Sequence, residues 1–242
     1  GAGKTTAFNC ITGVYEPTNG LVEFMGKPIV RNHPQGKMKK NYKGQNADMY
    51  LGKVVANTPD KITQQGIART FQNIRLFKDL TVEENVLIGL HNSMNYSVAS
   101  SMLRLPKYWK QEKEARERVR ELLHIFHMEN MTAQQAGSLP YGAPRRLEIV
   151  RSLATNPGIL LLDEPAAGMN PSETAELMET IRKIRDEFHI AIMLIEHDMK
   201  LVMGICEGIA VLNYGRIIAK GTPDEIRNNP VVIEAYLGKE DE

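Results

Sequence analysis

The sequence predicts an α/β fold: parallel strands buried between helices, with a mostly helical layer inserted in the middle. Three observations lead there. The chain opens on Gly1-Ala2-Gly3-Lys4-Thr5-Thr6, a glycine-rich turn of the kind that joins a strand to a helix. Residues 159–162 and 190–195 are short, continuous apolar runs, as strands buried on both faces require. Residues 110–126 are strongly helix-forming, with Val119, Leu122, Leu123 and Phe126 on one side and charges on the other.

Taken in order, residues 5–12 carry the opening turn on as a helix that stops near Gly13. Residues 21–24 and 28–30 are short strand-like runs split by Met25-Gly26-Lys27. Residues 32–61 read as an irregular, polar excursion with a basic KMKKNYK stretch, a solvated surface in the first reading and a nucleic-acid or partner site in the alternative one. Thr81-Val82-Glu83-Glu84 fits a capping box and opens the helical layer. Asn170 caps a further helix with Pro171 at its first position, and Leu177, Ile181, Ile184 and Phe188 form its inner face. Residues 209–212 and 216–219 flank Asn213-Tyr214-Gly215 as a hairpin, and Thr222-Pro223-Asp224-Glu225 caps another helix. The expected organisation is one domain over 1–242, with a core of 1–80 and 151–242 and a helical subdomain of about 81–150.

Composition narrows the class. A chain of 242 residues suits one large domain or two small ones, and 42% apolar with 24% charged residues is ordinary for a globular protein. A net charge of +1 gives no global preference for nucleic acid or an anionic surface. Two cysteines, Cys10 and Cys206, are too few for a disulfide framework and fit a reducing compartment. The apolar runs fall far short of the about 20 residues that a bilayer-spanning helix needs.

The chemistry is carried by residue types at strand ends. A complete phosphate loop reads G-x-x-x-x-G-K-[ST], and its latter part stands here. Backbone amides from Gly1 to Thr6 would face phosphates at the helix start, Lys4 would reach the β- and γ-phosphates, and Thr5 would hold Mg²⁺. A dinucleotide fingerprint fails because Thr6 stands where its third glycine belongs. ILLLDEP at 159–165 places two carboxylates at the end of a buried strand, Asp163 for the metal and Glu164 to polarise the attacking water. A strand simply ending in two acids is the bland alternative, and the phosphate loop weighs against it. His197, just past the second buried strand, reads as a γ-phosphate sensor rather than a structural histidine. No Asn-Lys-x-Asp guanine motif occurs.

These residues resemble the ATP-binding subunits of ABC transporters. Arg69-Thr70-Phe71-Gln72 is similar to that family's Q-loop, Leu139-Pro140-Tyr141-Gly142 with Arg145-Arg146-Leu147-Glu148 to its signature motif and helix, Ala167-Gly168-Met169-Asn170 to its D-loop, and His197 to its switch histidine. GIARTFQNIRLFKDLTVEENV, LLLDEPAAGMNPSET, IEHDMKLVMGI and GTPDEIRNNPVVIEAYLG resemble the bacterial branched-chain amino acid uptake branch. The resemblance implies a P-loop NTPase fold of the ABC ATPase type, with a parallel-sheet core and a helical signature subdomain. It implies ATP and Mg²⁺ as cofactors. Glu164, His197 and Gln72 would be catalytic. Gly1, Ala2, Gly3, Lys4, Thr5, Thr6, Tyr141, Gly142 and Asn170 would touch nucleotide, and Thr5, Gln72 and Asp163 would touch metal. The implied partners are a second ATPase subunit, identical or related, paired head to tail, transmembrane permease subunits and, indirectly, a periplasmic or lipoprotein substrate-binding protein. No nucleic acid is implied. The implied location is cytoplasmic, on the inner face of the plasma membrane through the permease.

Two departures from the family pattern set further expectations. The signature has Pro140 where the family carries Ser and Ala143 where it carries Gln, followed by Pro144, which the first turn of a helix tolerates. In the family a strand, an adenine-stacking aromatic and half of the phosphate loop precede the position of Gly1. The sequence is therefore expected to be a piece of a longer protein, lacking N-terminal strands and inactive by itself. A catalytically impaired or regulatory ABC subunit and a soluble ABC ATPase of repair or translation are the alternatives. The second would be favoured by a coiled-coil insertion or a second ATPase domain, and neither is in the sequence.

Overall fold

A computed structural model describes residues 2–44, 46–91, 106–140 and 142–236. In chain order the elements are α1 (Lys4–Ile11), β1 (Gly20–Phe24), β2 (Lys27–Asn32), α2 (Gly36–Asn41), α3 (Pro59–Gln64), β3 (Ile67–Arg69), α4 (Val82–His91), α5 (Pro106–Ile125) and α6 (Ala143–Leu153). They continue as β4 (Ile159–Asp163), α7 (Pro171–Phe188), β5 (Ala191–Ile195), α8 (Met199–Ile205), β6 (Ile209–Asn213), β7 (Arg216–Gly221), α9 (Pro223–Arg227) and α10 (Pro230–Tyr236). The chain forms two compact units, one of residues 1–65 with 206–242 and one of residues 66–205.

The first unit is built on two antiparallel hairpins, β1–β2 and β6–β7. Each turns on two residues in the left-handed region, Met25 and Gly26 (φ 49° and 73°) and Tyr214 and Gly215 (φ 44° and 75°). Such turns match the twist of the paired strands, which is why the residues quoted for both hairpins form them. α1 stops where Gly13 takes φ 70°, and a Cβ there would stand 2.2 Å from the Asn57 carbonyl oxygen, so glycine is required twice over. Phe8, Ile29, Ile62 and Ile226 are buried in this unit. Residues 32–61 are not irregular throughout. They contain α2 and the first part of α3, and Arg31 and Val55 exchange backbone hydrogen bonds of 2.8 and 2.9 Å. α2 buries no residue and α3 buries only Ile62, so neither helix leaves an apolar period in the sequence.

The second unit holds a parallel sheet in the order β3-β4-β5. Central β4 is apolar without alternation because both its edges are paired and both its faces covered, and Leu160, Leu161 and Leu162 are at most 1% exposed. β5 departs from expectation. It starts at Ala191, after His189 ends α7 in the left-handed region, and it is only half buried, with Met193 45% exposed. Among the described residues it pairs with β4 alone.

Helices α4, α5 and α6 share one core with the sheet. Val82, Val86, Val119, Leu122, Leu123, Phe126, Leu147 and Val150 are buried in it, so the apolar face read from residues 110–126 is the packed one. α4 approaches α6 so closely that a Cβ on Gly89 would stand 2.4 Å from the Arg151 carbonyl oxygen. The start of α4 is fully accounted for. The Val82 and Glu83 amides donate to the Gln134 and Thr132 carbonyls, and the Glu84 amide donates to Thr81 Oγ1. The Glu84 carboxylate in turn accepts from the Thr81 amide, completing the capping box. Buried Asn85 donates to the Phe77, Leu80 and Thr81 carbonyls and accepts from the Phe77 amide, pinning the approach to the helix.

Candidate active site

Parallel strands send their following loops out at one end of a sheet, and these loops carry the candidate chemistry. Gln72 follows β3, Glu164 follows β4 and His197 follows β5. Gln72 Nε2 donates to Glu164 Oε2 at 2.9 Å. His197 Nδ1 stands 4.0 Å from Glu164 Oε1 and 4.0 Å from Glu196 Oε2. Glu164 leaves the strand at φ 47°, a left-handed backbone that only a held geometry sustains for a side chain of this size. Its amide still donates to the Ile195 carbonyl, so the ladder continues through the bend.

Asp163, the last residue of β4, is buried, and its Oδ2 accepts from Arg69 Nη2 at 2.6 Å. Its Oδ1 is also buried and takes part in no hydrogen bond. A carboxylate oxygen so placed fits a hard cation such as Mg²⁺. Among the described residues no group of three or more His, Cys, Asp or Glu gathers to cage a metal.

In the first unit, Gly3 (φ 88°) stands at the cap position of α1. No side chain caps that helix and no acid stands in its first turn, so its free amides and positive end are left for an anion. Lys4 is half-buried, Thr5 and Thr6 are exposed, and the Ala2 carbonyl is fixed by the Gly215 amide at 3.0 Å. Gly1 lies outside the described residues.

The signature segment keeps its helix despite its prolines. Gly142 (φ 83°) is the cap residue of α6, and Pro144 falls in the first turn, where a missing N–H is harmless. The Ala143 amide donates to the Pro140 carbonyl at 3.1 Å. Tyr141 lies outside the described residues. The Asn170 side chain accepts from the Glu173 amide and Glu173 accepts from the Asn170 amide, so this residue is engaged as a helix cap. Upstream, the Ala166 amide donates to Glu196 Oε1, tying the loop after β4 to the one after β5.

Comparison with known proteins completes the assignment. A family model described as ABC transporter matches residues 1–167, and one described as branched-chain amino acid ATP-binding cassette transporter matches residues 216–242. The chain belongs to the ABC transporter family. This ABC ATPase is 44% identical to the high-affinity branched-chain amino acid transport ATP-binding protein BraF of Pseudomonas aeruginosa, over 99% of this chain and 84% of the relative. It is also 44% identical to the corresponding protein LivG of Escherichia coli K12, with the same coverage. The crystal structure of MJ1267, an ATP-binding cassette of an ABC transporter in its ADP conformation, aligns with a TM-score of 0.73 at 28% identity, over 98% of this chain and 84% of that one.

Within the ABC ATPase, the structure thus brings Gln72, Glu164 and His197 together and sets Asp163 beside them on β4. Two contributors escaped the sequence: Arg69, as the partner of Asp163, and Glu196, as the tie between loops. A signal for Arg69 was present, since a charge closing an apolar strand has to find an opposite charge when it is buried.

Proposed function

We propose that this ABC ATPase binds and hydrolyses Mg-ATP to power the import of branched-chain amino acids. The observation that carries hydrolysis is the convergence of Gln72, Glu164 and His197 at the end of the parallel sheet. The solute is supported by 44% identity, over nearly the whole chain, to relatives named for that transport.

In this reading Lys4 and the amides from Gly1 to Thr6 neutralise the phosphates. Thr5, Gln72 and Asp163 would hold Mg²⁺, which would supply charge screening at the phosphates. Glu164 takes the proton of the attacking water, and the Gln72 amide fixes that carboxylate by its hydrogen bond. His197 senses the γ-phosphate from its place beside Glu164. Tyr141, Gly142 and Asn170 serve nucleotide across a head-to-tail pair with a second ATPase subunit, identical or related. No helix among the described residues is long and apolar enough to cross a membrane. The proposed attachment to the inner face of the membrane is through permease subunits, with a substrate-binding protein delivering solute to them.

The test is phosphate release by the chain assembled with its partner subunits. Glu164→Gln should keep ATP binding and lower kcat by about 10²-fold or more, because the amide cannot accept the proton. A normal rate in that variant would remove Glu164 as the base. In proteoliposomes ATP should drive leucine uptake, and an assembly that hydrolyses ATP without moving leucine, isoleucine or valine would overturn the solute assignment.

A further inference from the structure

The Gln72 loop is suspended from the signature helix by a buried ion pair. Arg145 and Glu148 lie about one turn apart on α6, 5% and 0% exposed, with Arg145 Nη1 at 2.7 Å from Glu148 Oε2. Both side chains also reach the loop after β3. Arg145 Nη1 donates to the Phe71 carbonyl at 2.7 Å and Nη2 to the Gln72 carbonyl at 3.0 Å. Glu148 Oε1 accepts from the amides of Phe71 and Arg75 at 3.3 and 3.4 Å. The Arg75 guanidinium covers the Phe71 ring at 4.4 Å. The loop has no regular structure of its own over residues 71–75, so these two side chains supply the partners that a strand or helix would give its backbone.

We propose that Arg145 and Glu148 are positioning residues for hydrolysis. They fix the backbone of Gln72 so that its side-chain amide holds Glu164, and they thereby link the signature helix to the water-activating carboxylate of the same subunit. The ion pair by itself is not a requirement of stability, because apolar residues of similar volume often fill a buried site equally well. Apolar residues would, however, leave the Phe71 and Gln72 carbonyls and the Phe71 and Arg75 amides without these partners. A shift of α6 is transmitted to Gln72 through hydrogen bonds at both ends of the loop backbone.

The kinetic part of this inference rests on the proposed ATPase activity, and the structural part does not, so two experiments separate them. The first is a double-mutant cycle on ATP turnover by the assembled transporter. Arg145→Met should lower kcat tenfold or more with little change in KM for ATP, and should cause no further loss in a Gln72→Ala background. Equal losses in both backgrounds would overturn the proposal. If Arg145→Met does not fold, Arg145→Lys enters the same cycle, because a single ammonium lacks the fork that reaches both carbonyls. The second is amide hydrogen exchange of the full chain without nucleotide. In Glu148→Gln the Phe71 and Arg75 amides should exchange at least tenfold faster, while the amides of β4 keep their protection. Unchanged exchange at residues 71–75 would overturn the suspension itself. If the wild-type assembly showed no turnover, the proposed function would fall and the exchange result would decide the suspension alone.

Discussion

Arg69 and Asp163 leave water together, with side chains 5% and 2% exposed and a 2.6 Å contact. Removing either partner strands the other charge in a low dielectric, which costs about 3–5 kcal/mol. Arg69→Met should therefore lower the urea midpoint of the chain markedly, and a second change, Asp163→Leu, should restore much of it. No recovery in the double variant would mean that the two charges are not coupled. At this scale the sequence was readable for placement at strand ends. Asp163 and Glu164 follow one apolar run and His197 another, and the structure sets all three at one end of the parallel sheet. Gln72 was readable only through resemblance, because residues 71–75 have no periodicity. The burial of Arg145 and Glu148 against the loop after β3 was not readable, since charges three apart on a helix ordinarily describe a solvated pair.

Helix starts show how far local rules reach. Thr81 with Glu84, Asn170 with Glu173 and Thr222 with Glu225 all form reciprocal caps. Thr81→Ala should destabilise the chain by about 1 kcal/mol, measured as a lowered urea midpoint. The same cap sets a pH dependence. The Thr81 amide, and then its hydroxyl, hold the Glu84 carboxyl below its ordinary value of 4.5. A depressed folded pKa stabilises the fold above the unfolded value, and that contribution is lost as pH falls through the folded one. Between pH 7 and pH 3.5 the melting temperature of Glu84→Gln should thus fall less than that of the wild type. An equal fall in both would assign the acid sensitivity to other carboxylates. Caps were readable because they need only neighbouring residues. α2 and α3 were not, because a helix that buries one side chain or none carries no stripe, and β5 hid its half-exposed face behind an unbroken apolar run.

For the whole molecule the decisive quantity is ligand linkage. A ligand that binds only the folded chain stabilises it by about 2.7 kcal/mol at a hundredfold excess over Kd. Mg-ATP should raise the melting temperature of the full chain, and Lys4→Ala should abolish most of that rise by removing a charge-assisted phosphate contact. An undiminished rise would take Lys4 out of nucleotide binding. Which elements share a unit was beyond the sequence, because periodicity shows which face is buried and not against what. The return of residues 206–242 to residues 1–65 depends on that missing information. The parallel register has one more effect, on which changes the gene can survive. Ile159 pairs with Ala191 and Asp163 with Ile195, so the count of residues along β4 decides where Glu164 emerges. Deleting one residue there would retract the carboxylate by about 3.3 Å and send every later side chain of the strand to the opposite face. Single-codon insertions and deletions are therefore barred from residues 159–164 even where conservative replacements pass, while the exposed stretch around α2 can lengthen freely.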